Sequence, residues 1–590
     1  MRAIFAAAAM LLLVVVPAAA GPAEDLAQLL EDYDEDGLRL YPSGALWRGE
    51  ERYLDRYEEN LADAHLAERR ALNAAYRARL DAIPRGGLSY QDGLSHDIFA
   101  WQLGDDADGL ALSERFRLIP LNQFYGEHQS FAREMQWQSR FPFRTAAHYD
   151  KAVARMNGFA RWMDQAIARM REGIAQGVVQ PRVVVERMIP QVEAQANKSA
   201  EESVFYTPVK NLPDTIKGAE RRRVTAAYAK AVGDVVLPAY RRLAEFLAEE
   251  YLPASRGPVG LSAMPGGKEM YLYLVKSTTT TALTPDEIHA IGLEEVARIA
   301  KEMERVKKAT GFEGTLAQFR AFLRSDPRFK FKDEAAVLAE YERIKAQIMA
   351  HVGALFGTLA KTGFEIKFFE PFIAPTKASA EYNSPSADGA RPGIFWVNSY
   401  DLPSRPTYTT EVLESHEAVP GHHQQITVAI ENKSLPEFRR FGGPTAYVEG
   451  WGLYSESLGK ELGLYTDPYQ DFGRLSFDMW RACRLVVDTG MHWKGWTREQ
   501  AIQYLLDNTS LTETDVVAEI ERYIAIPGQA LAYKIGQLNF LALRAKAEKE
   551  LGDKFDIRRF HDALLLDGGM PIAILNAKIE GWIAAEKAGG

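Results

Sequence analysis

Ten residues hold most of the chemistry this chain can offer. The segment Glu414-Ser415-His416-Glu417-Ala418-Val419-Pro420-Gly421-His422-His423 contains three of the eleven histidines in 590 residues, with a glutamate directly after the first. In a zinc helix of the H-E-x-x-H type, histidines at i and i+4 share one face, and the glutamate between them handles protons on the metal-bound water. Here His422 comes six residues after His416, about 600° of rotation in an unbroken helix and nearly the opposite face. His423, at seven, returns to the first face but ~10 Å further along the axis. Pro420 removes an N–H and clashes with the carbonyl four residues back, while Gly421 tolerates positive φ, so the helix is predicted to break there. With two residues looped out, His422 becomes the second ligand and His423 a neighbour of the metal water or substrate. With three looped out, the ligand is His423. Glu417 is the general base in either arrangement.

Cys483 is the single cysteine, which excludes an intramolecular disulfide and a Cys-based zinc site and leaves carboxylate or imidazole for the third ligand. Glu449 is the candidate, in Ala446-Tyr447-Val448-Glu449-Gly450-Trp451-Gly452-Leu453-Tyr454-Ser455-Glu456. It follows the Gly442-Gly443-Pro444 break, which lets a second helix turn back along the first, and Gly450 and Gly452 permit close backbone approach. Glu456 lies two turns on along the same face, ~10 Å away and too far to share the ion, so it is placed behind the ligands as a support. A developing oxyanion needs a donor besides the metal, and Tyr533 is the candidate. Arg391 and Lys534 are candidates to hold a substrate carboxylate. Asn398 ends a run from Gly393 against which an extended substrate could pair. His289, His351, His492 and His561 read as packing or surface residues.

The elements that must position these groups read as mainly helical. From Ala23 to about Lys361 apolar residues recur every three or four positions, as in Leu54, Tyr57, Leu61, Leu66, Leu72, Tyr76 and Leu80. Thr284-Pro285-Asp286-Glu287 has the cap, proline and acid that open a helix, predicted to run to about Ala309. Ser277 to Thr281 reads as an extended connector. Phe364–Phe369 and Gly393–Asn398 are predicted strands, bounded by Pro or Gly. From Tyr408 to about Ala585 the chain is helical again, with breaks at Pro420-Gly421, Gly442-Gly443-Pro444, Asp467-Pro468 and Pro527-Gly528. The expected architecture is mainly α: a large two-lobed helical body with a cleft and a small β-element beside the metal site. Its parts are an N-terminal helical subdomain over residues 21–270 and a helical metal-site subdomain over 271–590.

Hydrophobic residues make up 47% and charged residues 25%, with mean hydropathy of -0.25, which argues against both a polytopic membrane protein and a disordered one. The net charge of -10 and the lack of a long Lys/Arg tract argue against nucleic acid as a partner. Arg2, an apolar run from Ala3 to Val16, Pro17 and Ala18-Ala19-Ala20 read as a secretory signal peptide over residues 1–20. An uncleaved anchor is the alternative, though the run is shorter than the ~20 residues a spanning helix needs. No cysteine follows the cleavage point, so a lipoprotein is not indicated. The expected mature chain is exported, periplasmic in a Gram-negative source, without stable membrane insertion.

At these motifs the chain resembles the bacterial family named domain of unknown function 885, whose hallmark is H-E-x-x-P-G-H-H followed by E-G-W, here His416 to His423 and Glu449-Gly450-Trp451. Asp388-Gly389-Ala390-Arg391-Pro392-Gly393 and the segment from Pro527 to Gly536 match further motifs of that family. More distantly, the layout is similar to helical zinc peptidases of the thimet oligopeptidase, angiotensin-converting enzyme and thermostable carboxypeptidase type, with two His and one Glu as ligands. Their H-E-x-x-H is uninterrupted, which this sequence is not. The resemblance implies one Zn2+ per chain and a hydrolase acting on peptides or small amides. Two rivals are a zinc amidase or esterase on non-peptide substrates and a non-enzymatic exported binding protein with a structural metal, for which Glu417 would have no use.

Overall fold

Capping residues set the boundaries of the helices that carry the fold. In a computed structural model, which describes residues 21–369, 374 and 378–589, Thr284 and Glu287 form a reciprocal capping box at the start of the helix Pro285–Ala309. Asp467 caps Pro468–His492 in the same spirit, accepting from the Tyr469 N–H. These two long helices pack against each other closely enough that a Cβ on Gly292 would meet Leu485 Cβ at 2.8 Å. The expected signal peptide, residues 1–20, lies outside the described residues.

The fold is mainly α, as the periodicity predicts. One large core joins the helices Ala146–Gln176, Arg182–Ala196 and Leu237–Phe246 to the inner faces of Pro285–Ala309 and Pro468–His492. A second gathers Glu334–His351, a small sheet, the helices Thr410–Glu417, His422–Glu431 and Thr445–Ser457, and three C-terminal helices, Ala532–Leu551, Ile557–Leu565 and Ile572–Ala588. Two local readings need correction. Leu54, Tyr57 and Leu61 are buried, but in turns and irregular chain that precede the helix Asp63–Asp81, so a three-to-four spacing of apolar residues there reflects packing without helix. Ser277 to Thr279 form the last turn of the helix Gly267–Thr279, whose C-cap Thr280 takes φ of 53°. The Thr279 hydroxyl donates to the Val275 carbonyl four residues back, so it is satisfied within the helix.

Three strands form the sheet in the order β1-β3-β2: β1 Phe364–Phe368, β2 Ala380–Asn383 and β3 Gly393–Val397. β1 runs parallel to β3 with Phe364 opposite Gly393, and β2 runs antiparallel with Ala380 opposite Val397. β2 has no apolar alternation to announce it. Because β3 lies in the middle, both its edges are occupied, and the expected pairing of substrate with Gly393–Asn398 is replaced by this internal pairing.

Candidate metal centre

The break at Pro420-Gly421 is where the site begins. The first motif helix ends at Glu417, the chain turns through residues 418–421, with a cis Val419-Pro420 peptide, and the second motif helix starts at His422. Only glycine fits at 421, since a Cβ there would fall 1.9 Å from the His416 carbonyl oxygen. Trp451 of the E-G-W segment donates its indole N–H to the Pro420 carbonyl at 2.9 Å. The two halves of the motif are therefore fastened to each other at the turn itself.

That turn returns His422 to the side of His416, the rings 4.7 Å apart and nearly perpendicular. Glu449 Oε2 lies 3.7 Å from His416 Nε2 and 3.4 Å from His422 Nε2. One ligand atom from each of His416, His422 and Glu449 falls within 4.8 Å of the others. Donors around a tetrahedral zinc at ~2.1 Å stand ~3.4 Å apart, so the set fits the ion with small side-chain adjustments. Two imidazoles and one carboxylate with no thiolate is the donor set of catalytic zinc sites, which use three protein ligands, whereas closed structural sites use four.

Glu449 and Glu456 share the helix Thr445–Ser457, as expected, and have different partners. Glu456 Oε1 lies 2.8 Å from His416 Nδ1, which assigns the Nδ1 proton to that bond and aims the Nε2 lone pair at the cluster. Gly452 makes room for the His416 ring, since a Cβ there would stand 2.8 Å from Cε1. Among the protein groups alone, burial opposes a charged His416, but Glu449 and Glu456 outweigh it and hold the ring at about 9. Burial likewise opposes a charged Glu449, and the two histidines hold it well below the usual carboxylate range. A cation entering this cluster takes the place of a proton.

Glu417, the last residue of its helix, is half-buried, and its carboxylate makes no hydrogen bond or ion pair among the described residues. The Tyr533 ring lies parallel to that of His416 with centroids 6.4 Å apart. Burial, then the Glu449 charge, raises its hydroxyl above the ordinary phenol value.

Four sequence-predicted residues are placed elsewhere. His423 points away from the cluster: its Nδ1 is 2.8 Å from the Tyr382 hydroxyl and 3.4 Å from the Thr427 hydroxyl, its ring packs on Phe364, and burial lowers it to about 4. It ties the second motif helix to the sheet, so two residues are looped out and His422 is the cluster's second histidine. Lys534 is fully buried, with Nζ donating to Asp478, Glu295 and Gln537, which leaves no donor for a substrate. Asn398 is buried, with its amide N–H donating to the Ala374 and Ala378 carbonyls and its oxygen accepting from the Tyr400 N–H. It organises a loop. Arg391 is exposed in a turn where its backbone N–H donates to Ser386, and no contact brings it to the cluster.

Sequence reasoning missed Tyr382 and two arginines of the Pro468–His492 helix. Arg484 stands over the Tyr533 ring at 4.4 Å and Arg481 at 6.0 Å. Their signal was available: two arginines three apart in a helix otherwise buried from Arg481 to His492. Two cavities of about 390 and 450 Å³ lie elsewhere, the first lined by residues 137–144 and Glu50, the second by His65, Asp106 and Glu127 among others. Neither includes a residue of the cluster.

The profile of one family, described as "Bacterial protein of unknown function (DUF885)", matches residues 42–579. A solved structure described as a "putative lipoprotein" from Colwellia psychrerythraea is 30% identical, covers 96% of this chain and 100% of its own, and superposes with a TM-score of 0.86. Another, described as a "putative lipoprotein of unknown function" from Shewanella oneidensis, is 18% identical, covers 94% and 99%, and has a TM-score of 0.73, which shows a shared fold. A comparison with curated proteins returns no match.

Proposed function

The chain belongs to the bacterial DUF885 family, and from the geometry of its His/His/Glu cluster we propose that it is an exported zinc-dependent hydrolase, a metallopeptidase cleaving peptides. The carrying observation is the convergence of His416, His422 and Glu449 ligand atoms within 4.8 Å, with Glu417 next to His416 in the chain and without a partner among the described residues. Zinc, held by these three side chains, would supply Lewis acidity toward a carbonyl and water near neutral pH. Glu417 would take a proton from the attacking water and pass it to the leaving amine. Glu456 keeps His416 in one tautomer and orientation. Tyr533 donates its hydroxyl to the oxyanion; its raised pKa keeps that proton in place for donation. Export is supported by the signal-like N-terminal sequence and by the description of the two structural relatives as lipoproteins. No described helix is long and apolar enough to cross a membrane.

Metal analysis of the purified chain, followed by incubation with a mixed peptide library and mass spectrometry of the products, tests the reading. One zinc per chain with cleaved peptides supports it. Zinc without peptide cleavage, but with turnover of simple amides or esters, moves the assignment to an amidase or esterase. A tightly held zinc with no turnover of any of these leaves a structural metal and removes the enzyme.

A further inference from the structure

Lys534 and Arg481 are both buried cations beside Tyr533, and they are satisfied to opposite degrees. Lys534 has three polar partners. Arg481 is 5% exposed, and none of its nitrogens makes a hydrogen bond or ion pair with the described residues; Nε and Nη1 are wholly buried without a partner. Aromatic rings offset part of its charge but accept none of its N–H donors, and buried donors without a partner call for a ligand. Burial depresses its pKa, and Glu456, the acid that supports its charge, bonds to His416 through Oε1 and makes no hydrogen bond or ion pair with Arg481, its Oε2 being buried without a partner among the described residues. Phe477 and Trp480, both half-buried, flank Arg481 at 4.5 and 4.4 Å, so the approach to it is aromatic.

The surroundings carry excess positive charge. Arg484 and Arg522 share a single acid, Glu519, through Nη2 in each case, and Arg484 Nη1 and Arg522 Nε have no hydrogen-bond partner among the described residues. Three guanidiniums therefore face one directly paired carboxylate. Arginine matches a carboxylate with two parallel hydrogen bonds, and the cluster is one tyrosine ring removed from His416. Steps of 4.4–6.0 Å and 6.4 Å separate guanidinium from metal ligand, a reach of one to three extended residues at ~3.5 Å each.

We propose that Arg481, backed by Arg484, binds the free C-terminal carboxylate of the peptide substrate, so that the enzyme removes short fragments from peptide C-termini. This inference rests on the peptidase reading and deepens it. It replaces Lys534 and Arg391 as the carboxylate-binding groups. The aromatic flank of Phe477 and Trp480 receives the terminal side chain.

The test uses one peptide library made in two forms, with free C-terminal acids and with C-terminal amides, on the zinc-loaded protein. The acid form is expected to react roughly 10–100-fold faster, as expected for charged hydrogen bonds, with C-terminal truncation products. Arg481→Gln is expected to bring the two forms within about threefold, through a higher KM on the acid form and little change on the amide form. Equal rates on the two forms in the parent protein overturn the proposal without any variant. A variant that loses both forms alike assigns Arg481 to supporting Glu456 and also overturns it. If the zinc-loaded parent cleaves neither form, the hydrolase reading has failed, and calorimetry then decides the pocket. N-acetylphenylalanine binding the parent, with its amide not binding, retains the carboxylate site; no binding of the acid removes it.

Discussion

Two sets of buried histidines in this chain are used in opposite ways. His492 accepts the Leu261 N–H on Nδ1 and donates from Nε2 to the Tyr523 carbonyl. His561 donates from Nδ1 to the Leu355 carbonyl and accepts the Tyr454 hydroxyl on Nε2. With both nitrogens engaged and burial disfavouring charge, each ring is lowered to about 3 and stays neutral. His416 is as deeply buried, yet it bonds to Glu456 through one nitrogen and turns the other to Glu449. Burial therefore does not separate a core histidine from one of the His/His/Glu cluster. The separating feature is a nitrogen left over by the fold and aimed at a carboxylate.

The largest effect expected on the ligand side of this comparison comes from Glu417→Ala. Its carboxylate touches no described partner, so zinc content and unfolding midpoint should match the parent while hydrolysis falls ~10²–10⁴-fold. Parent-like turnover at full zinc occupancy removes Glu417 from the chemistry. Next come His422→Ala and Glu449→Gln, each expected to lose zinc on dialysis, against Glu456→Gln, expected to keep zinc with affinity or activity reduced ~10–100-fold. Metal retained in Glu449→Gln and lost in Glu456→Gln would falsify the assignment of the two carboxylates.

The sequence carried the helical class, the break at Pro420-Gly421, the His416/His422/Glu449 set and the supporting place of Glu456, because each follows from helix geometry acting on a few residues close in the chain. Lys534 and Asn398 were misread for the converse reason. Whether a cation or amide is available depends on partners far away in sequence, such as Glu295 for Lys534 and Ala374 for Asn398. Arg481 was missed on the same ground: an unsatisfied guanidinium is recognisable only once everything packed around it is known. The stripe from Leu54 to Leu61 shows that burial and helix have separable sequence signals.

The two histidine sets also carry opposite pH signatures. An unfolded histidine with pKa ~6.5 takes a proton below that pH, which folded His492 and His561 refuse until about 3. Their contribution to stability is therefore lost as pH falls, at about 2 kcal/mol per ring between pH 7 and pH 5. His416 of chelator-treated protein, held at about 9, acts in the other direction: its contribution is full below pH ~6.5 and is lost as pH rises through about 9. Urea unfolding of parent, His561→Gln and His416→Gln at pH 5, 7 and 9 checks both signs. His561→Gln should flatten the acid limb and His416→Gln the alkaline limb. An acid limb unchanged in His561→Gln defeats the core reading of that ring.

The smallest expected effect falls on His423, which sits beside His422 of the cluster in the chain but belongs with the core set. Its Nδ1 is held by Tyr382 and Thr427, and its ring lies on Phe364 and close to Gly393, where a Cβ would come 2.9 Å from Nδ1. The ring joins the second motif helix to the sheet. Tyr382→Phe removes one hydroxyl from that junction and should cost about 1 kcal/mol, with His423→Ala costing somewhat more through lost packing. Neither should change zinc stoichiometry, because the His422 side chain reaches the cluster from the first turn of the same helix without help from this junction. Zinc content measured beside urea midpoints decides it: zinc lost from His423→Ala but kept by His422→Ala would mean that three residues are looped out at Pro420-Gly421, and the two histidines would exchange roles.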